Sequence, residues 1–238
     1  MDYLIADKNL IKKDEEKYYK EKIIYMPKIW NAMSKPENLP EINDLPFEKN
    51  DIFRFGSFNS FKKISDDVIK VWSKIINNSN CELYLKNSGG YNEEIYDNLL
   101  KRFENENADL KKIIFLKKSK STEFMKDYHK IDLALDTFPY TGVTTSFQSY
   151  LMGVPLLTLK GFNMNSRCGE SINTNLGLND FIADNLDEYY KKSISLQDKN
   201  KLSNLRSSLR NKVLRSPLFD TDGFTKDLTS VFEKILKQ

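Results

Sequence analysis

The chain has 238 residues, 39% apolar and 30% charged, a size that suits one large domain or two small ones. Its 37 basic and 34 acidic groups leave a formal charge of +3, too even a balance for a nucleic-acid binder, which gathers Lys and Arg on one face. One histidine, His129, argues against a histidine-based metal site, and the two cysteines, Cys81 and Cys168, give neither metal spacing nor a disulfide framework. No apolar run is long enough to span a bilayer and no signal-peptide pattern opens the chain, so a cytoplasmic protein without a membrane partner is expected.

The first fifty residues differ from the rest. Residues 2–6 read as a short strand, residues 8–22 are densely charged with little to bury, and residues 23–26 form a brief apolar patch. Pro36, Pro40 and Pro46 mark an extended linker. Residues 1–50 cannot make a core alone and are expected to lie over a main domain at 51–238.

From Asp51 the pattern alternates. Residues 52–58 read as a strand. Ser65 is a suitable N-cap, Asp66 and Asp67 suit a first turn, and Val68, Val71, Trp72, Ile75 and Ile76 share one helical face. A strand at 82–86 precedes a helix at 92–104, with Ile95, Leu99, Leu100 and Phe103 inward. A strand at 112–116, a short helix at 122–128 and a strand at 131–135 follow. Pro139 and Gly142 then break the chain, Thr144, Thr145 and Ser146 open a helix, Gly153 closes it, and residues 154–159 form another buried strand. Helices are expected at 186–193, 199–214 and 223–236, with Pro217 between the last two. Repeated βα units with apolar strands predict an α/β fold, a Rossmann-like parallel sheet with helices on both faces and a helical C-terminus.

In such folds ligands bind beyond the carboxyl ends of the strands, which singles out the loops at 56–64, 86–90 and 137–146. The third is the most informative. Small residues feeding a helix N-terminus leave free N–H groups and a positive dipole end facing the loop, an arrangement that takes a phosphate. Gly56 and Asn59 permit tight turns in the first loop, and Lys63 stands beside the helix that Ser65 opens. Lys86 ends a strand ahead of Gly89 and Gly90. Plainer readings stand beside these. Lys63 fits a solvated lysine, and Lys86 a strand-end lysine. Thr145 with Gln148 fits a capping box. Arg167 reaches either a phosphate or Glu170. Asp132 and Asp136 fit satisfaction of loop N–H groups, and Asp220 with Asp222 fits helix capping rather than metal binding. Trp72, Phe103 and Phe138 fit core or pocket wall, and His129 a surface helix.

The segments Phe55-Gly-Ser-Phe-Asn-Ser-Phe-Lys-Lys-Ile-Ser65, Ile131-Asp-Leu-Ala-Leu-Asp-Thr-Phe-Pro-Tyr-Thr-Gly142, Met152-Gly-Val-Pro155 and Ser216-Pro-Leu-Phe219, in this order, resemble the C-terminal half of the catalytic region of O-GlcNAc transferase and SPINDLY-like glycosyltransferases. The resemblance runs over nearly the whole chain. It implies the donor-binding lobe of a GT-B transferase, with residues 1–50 as the tail of a missing N-terminal lobe. It places the family's phosphate-binding and catalytic lysine on Lys63, its loop asparagine on Asn59 with Ser60 beside it, and its paired threonines on Thr144 and Thr145 after Gly142. Lys86 and Arg167 are further donor contacts under this reading. Three positions depart from the family pattern: Phe124 and Val143 stand where histidines are common, and Gln148 where an acidic residue meets the ribose hydroxyls.

The implied activity is transfer of a sugar, N-acetylglucosamine first, from a UDP-sugar to a protein Ser or Thr, without a metal or other cofactor. The implied partners are the nucleotide-sugar donor and an acceptor protein or an N-terminal lobe supplied elsewhere. A non-catalytic nucleotide-sugar-binding fragment or subunit is the alternative, and guanosine diphosphate with fucose remains open as donor.

Overall fold

Short apolar runs set the strands of the main sheet. In the computed structural model, which describes residues 1–87, 92–117, 119 and 121–237 (side chains of 121 and 122 aside), these are β3 (Phe53–Ser57), β4 (Cys81–Leu85), β5 (Ile113–Phe115), β6 (Leu133–Leu135), β7 (Leu156–Leu159) and β8 (Ile182–Ala183). All pair in parallel, in the order β5-β4-β3-β6-β7-β8. The earliest strand, β3, thus stands in the middle. The chain winds outward on one side through β4 and β5, then returns to pair β6 on the other, with Phe55 opposite Leu133. The order reverses at the β3–β6 seam, and such a reversal opens a crevice at the strands' carboxyl ends.

Helices cover the sheet: α1 (Asp66–Asn78), α2 (Glu93–Asn105), α3 (Ser121–Phe124), α4 (Thr144–Leu151), α5 (Cys168–Asn175), α6 (Leu186–Ser195), α7 (Lys199–Leu214) and α8 (Thr221–Leu236). The Ser65 hydroxyl accepts from Val68 N–H and caps α1, whose face of Val68, Val71, Trp72, Ile75 and Ile76 is buried as the periodicity predicts. In α2 the buried face is turned. Tyr96, Leu99 and Phe103 point inward, whereas Ile95 is exposed and Leu100 half-buried. The cause is aromatic packing: the Tyr96 ring lies 5.0 Å from Phe61 and 4.8 Å from Phe115. Gly56 serves no turn. It lies within β3, where a Cβ would meet the Ile131 side chain at 2.5 Å. Gly153, at φ +74, does end α4 in the left-handed region.

The N-terminal segment lies on this domain. Strands β1 (Tyr3–Ala6) and β2 (Lys22–Tyr25) pair in parallel, and Ala6, Leu10, Ile11 and Ile23 bury themselves with Cys168 of α5. Buried Asp7 accepts from Leu10 N–H, Trp30 N–H and the Ser171 hydroxyl. Along the linker, Arg206 of α7 donates to the Asn43 side chain at 2.6 Å and to the Asn43 and Ile131 carbonyls. Phe47 N–H bonds Asp132, whose other oxygen takes Arg54 N–H. No helix among the described residues is long and apolar enough to cross a membrane.

Candidate nucleotide-sugar site

The loops after β3 and β6 meet over the seam. After β3 the chain buries Phe58 and Asn59, then makes a tight turn at Phe61–Lys63 that directs Lys63 back across the crevice. The Lys63 ammonium donates to the Thr141 carbonyl at 2.9 Å and stands 4.5 Å from the centre of the Tyr140 ring. It is half-buried, and desolvation pulls its pKa below the ordinary lysine value, against the pull of the Asp136 charge.

Asp136 organises the second loop. One of its oxygens accepts from Gly142 N–H at 2.7 Å and Thr137 N–H at 3.0 Å, and the other from the Thr158 hydroxyl at 2.8 Å. Burial pushes its pKa up to about 6, opposed by these bonds and by Lys63. The Ser65 hydroxyl, besides capping α1, donates to the Phe138 carbonyl at 2.8 Å and fixes this loop to the first. A further tie joins the Thr145 hydroxyl to the Asn59 side-chain oxygen at 2.9 Å.

The loop delivers the chain into α4 without a cap. The helix starts at Thr144, Val143 holds the N-cap position, and no side chain bonds the first-turn N–H groups. The capping box expected from Thr145 and Gln148 does not form, because the Asp136–Gly142 bond draws the chain into helix before Thr145. Gln148 is thereby left to face the cavity. The Ser146 hydroxyl is buried with no partner. Gly142 closes the cradle from behind: a Cβ there would lie 2.7 Å from the Thr145 hydroxyl and 2.9 Å from that of Ser146. The Lys63 ammonium and the N-terminal end of α4 border one cavity, an arrangement that suits an anion.

The resulting cavity, about 670 Å³, is the size of a small-ligand site. Asn59, Ser60, Lys63, Thr144, Thr145 and Gln148, all expected from sequence, line it together with Ser119, Phe124, Tyr140 and Val143. Phe124 and Val143, two of the three departures from the family pattern, are thus cavity wall. Lys86 is not. It is buried, pairs with Asp127 and the Ser119 hydroxyl, and lies 4.8 Å from the Phe124 ring centre, supporting the wall from behind. Gly89 and Gly90 of that loop lie outside the described residues. Arg167 also stands apart. Its guanidinium grips Glu15 at 2.5 and 2.6 Å and the Gly161 and Leu10 carbonyls, while Glu170 meets Lys12 instead. Asp220 caps α8 through Gly223 N–H, as expected.

Residues 43–228 match the sequence profile of glycosyl transferase family 41. This chain belongs to that family. It is 31% identical over 99% of its length to a probable UDP-N-acetylglucosamine–peptide N-acetylglucosaminyltransferase SPINDLY of Eustoma exaltatum subsp. russellianum, and 30% identical over 100% to that of Arabidopsis thaliana. It spans 26% of the length of each. A solved structure of a mutant O-GlcNAc transferase from Thermobaculum terrenum superposes with a TM-score of 0.90 at 28% identity, over 98% of this chain and 45% of that one. Sucrose-phosphate synthase of Thermosynechococcus elongatus shares the fold, with a TM-score of 0.64 at 9% identity over 99% of this chain and 58% of that one. The family 41 chain therefore has the α/β architecture of GT-B glycosyltransferases.

Proposed function

We propose that this family 41 chain is the donor-binding part of a protein O-linked glycosyltransferase, holding UDP-N-acetylglucosamine for transfer to a Ser or Thr hydroxyl. The observation that carries the reading is the meeting of Lys63 with the uncapped N-terminus of α4 in one cavity at the β3–β6 seam. The names of the relatives supply the sugar, the base and the acceptor class.

In the reaction the acceptor hydroxyl oxygen bonds the sugar's anomeric carbon as the bond to the β-phosphate breaks. The hydroxyl proton leaves to a base, and the electron pair of the broken bond stays on the diphosphate. The Lys63 ammonium and the first-turn N–H groups of α4 neutralise that charge as it develops, and this electrostatic clamp needs no metal. No carboxylate or imidazole is found among the described residues lining the cavity. That same observation favours a second reading, a module that binds the donor without transferring it.

Calorimetric titration of the 238-residue chain with UDP, and with GDP as comparison, tests the reading. A preference for UDP supports a working donor site. Binding to neither withdraws the enzyme assignment. Binding without sugar transfer, even beside the remaining portion of a relative, favours the module.

A further inference from the structure

The loop after β6 is largely buried as far as Phe138 and again at Thr141 and Gly142, with Pro139 and Tyr140 exposed between them. Thr137, Phe138 and Thr141 are almost wholly enclosed, whereas Tyr140 keeps 52% of its surface exposed, at the cavity. Its backbone is held. The Thr137 hydroxyl donates to the Tyr140 carbonyl at 2.8 Å, and Lys63 and Asn165 take up the carbonyl and the hydroxyl of Thr141. The ring is thus presented by a fixed frame. The Lys63 ammonium lies 4.5 Å from the ring centre, a cation–π contact that occupies one part of its surface. A phosphate paired with that ammonium would have its ester substituent within reach of the ring. The second aromatic of the cavity, Phe124, is set differently. It leans on Phe58 and Tyr128 and is backed by Lys86, not by the anion-binding lysine.

Resting on the donor reading above, we infer that Tyr140 is the platform for the donor's sugar: its open ring surface stacks against the hexose borne by the phosphate that Lys63 binds. Hexose C–H groups carry slight positive charge, and the aromatic face is the negative part of its quadrupole. Aromatic surface beside a few polar anchors is the usual way a pocket orients such a ligand. The contact selects for the sugar, not for the nucleotide.

Calorimetry on the wild type, Tyr140→Phe and Tyr140→Ala, each titrated with UDP and with UDP-N-acetylglucosamine, tests this. Loss of the ring should weaken the nucleotide sugar by about tenfold while UDP changes by no more than about twofold, and the phenylalanine variant should match the wild type with both ligands. Equal weakening of both ligands in Tyr140→Ala would mean that the ring only steadies Lys63, and overturns the inference while leaving the donor site in place. An unchanged ratio with unchanged affinities also overturns it. A wild type that binds neither ligand, nor GDP nor GDP-fucose run as controls, brings down the donor reading and the platform together.

Discussion

Arg167 and Glu15, 152 positions apart in sequence, meet as a two-pronged ion pair, Nη1 to Oε2 at 2.5 Å and Nη2 to Oε1 at 2.6 Å. The arginine side chain is 8% exposed and the glutamate 20%. The fork geometry suits a carboxylate and holds the N-terminal segment against α5. Loss of one partner leaves the other charge desolvated. Glu15→Gln should therefore lower stability at neutral pH by about 2 kcal/mol, less than a fully buried pair because solvent reaches the glutamate. Urea unfolding of the variant beside the wild type measures it.

The same pair fixes an acid dependence. Hydrogen bonding to Arg167 holds the Glu15 carboxyl down at about 2, from 4.5. A depressed carboxyl stabilises the fold above its unfolded pKa and loses that contribution as pH falls from about 4.5 towards 2. The urea midpoint of the wild type should drop over that window more steeply than that of Glu15→Gln. Parallel curves would show that the pair adds nothing.

Asp136 works in the opposite direction. Its pKa is raised to about 6 by burial, so its contribution is full below about 4 and is lost as pH climbs through 6. Asparagine can keep the bonds from Gly142 and Thr137 N–H on its amide oxygen, while its NH2 group donates to the Thr158 hydroxyl oxygen in reversal of the native bond. Asp136→Asn should therefore flatten part of the stability curve between pH 4 and 6.5. Asp132, also raised to about 6 by burial, contributes to the slope that remains. With a negative charge removed from the neighbourhood of Lys63, UDP should bind about threefold tighter at pH 7.5. Weaker binding would assign the carboxylate a purely structural role.

Lys63→Ala should weaken UDP by about 1.5–3 kcal/mol, the usual worth of a charge-assisted contact. Thermal unfolding without ligand should move little, since among the described residues the ammonium's hydrogen bond is to the Thr141 carbonyl and its ring contact is to half-exposed Tyr140. Unchanged affinity removes Lys63 from the site.

Gly142→Ala separates the cradle from the fold. The new methyl would crowd the Thr145 and Ser146 hydroxyls and come within 3.1 Å of the Asn59 side chain, and of these Thr145 and Asn59 line the cavity. UDP affinity should fall at least about tenfold, with a stability loss near 1 kcal/mol as side-chain hydroxyls turn away. Equal losses in both would place Gly142 in the scaffold alone.

Much of this was legible in the residues. Apolar runs such as 131–135 and the Ser65 cap with its 3.6-residue stripe declare strands and helix because each signal is local. The loops at Asn59 and Thr144 could be paired because a parallel sheet carries both to its carboxyl edge. The remainder depended on tertiary placement. Thr145 and Gln148 have capping-box spacing, yet the start of α4 is decided by Asp136, further back in the chain. Phe138 and Tyr140 are both loop aromatics, and no local pattern says that the first is enclosed and the second open. Arg167 lies three positions before Glu170 in sequence, but its carboxylate arrives from residue 15. Its distance from the cavity could not be read before the fold was known.

The placement of β3 in the middle of the sheet has a consequence for the order in which the site comes into being. One wall, Asn59 to Lys63, follows the first strand of the domain, and the opposite wall, Tyr140 to Gln148, follows the fourth. A nascent chain can assemble β3, β4 and β5 early, but it possesses half a cavity until residue 148 has emerged and β6 has closed on β3. A ligand that bridges the walls then adds its binding free energy to that late, long-range closure. Donor in the surroundings would act as a latch on the last seam to form, and nucleotide should protect the amides of β6 from hydrogen exchange more than those of β4.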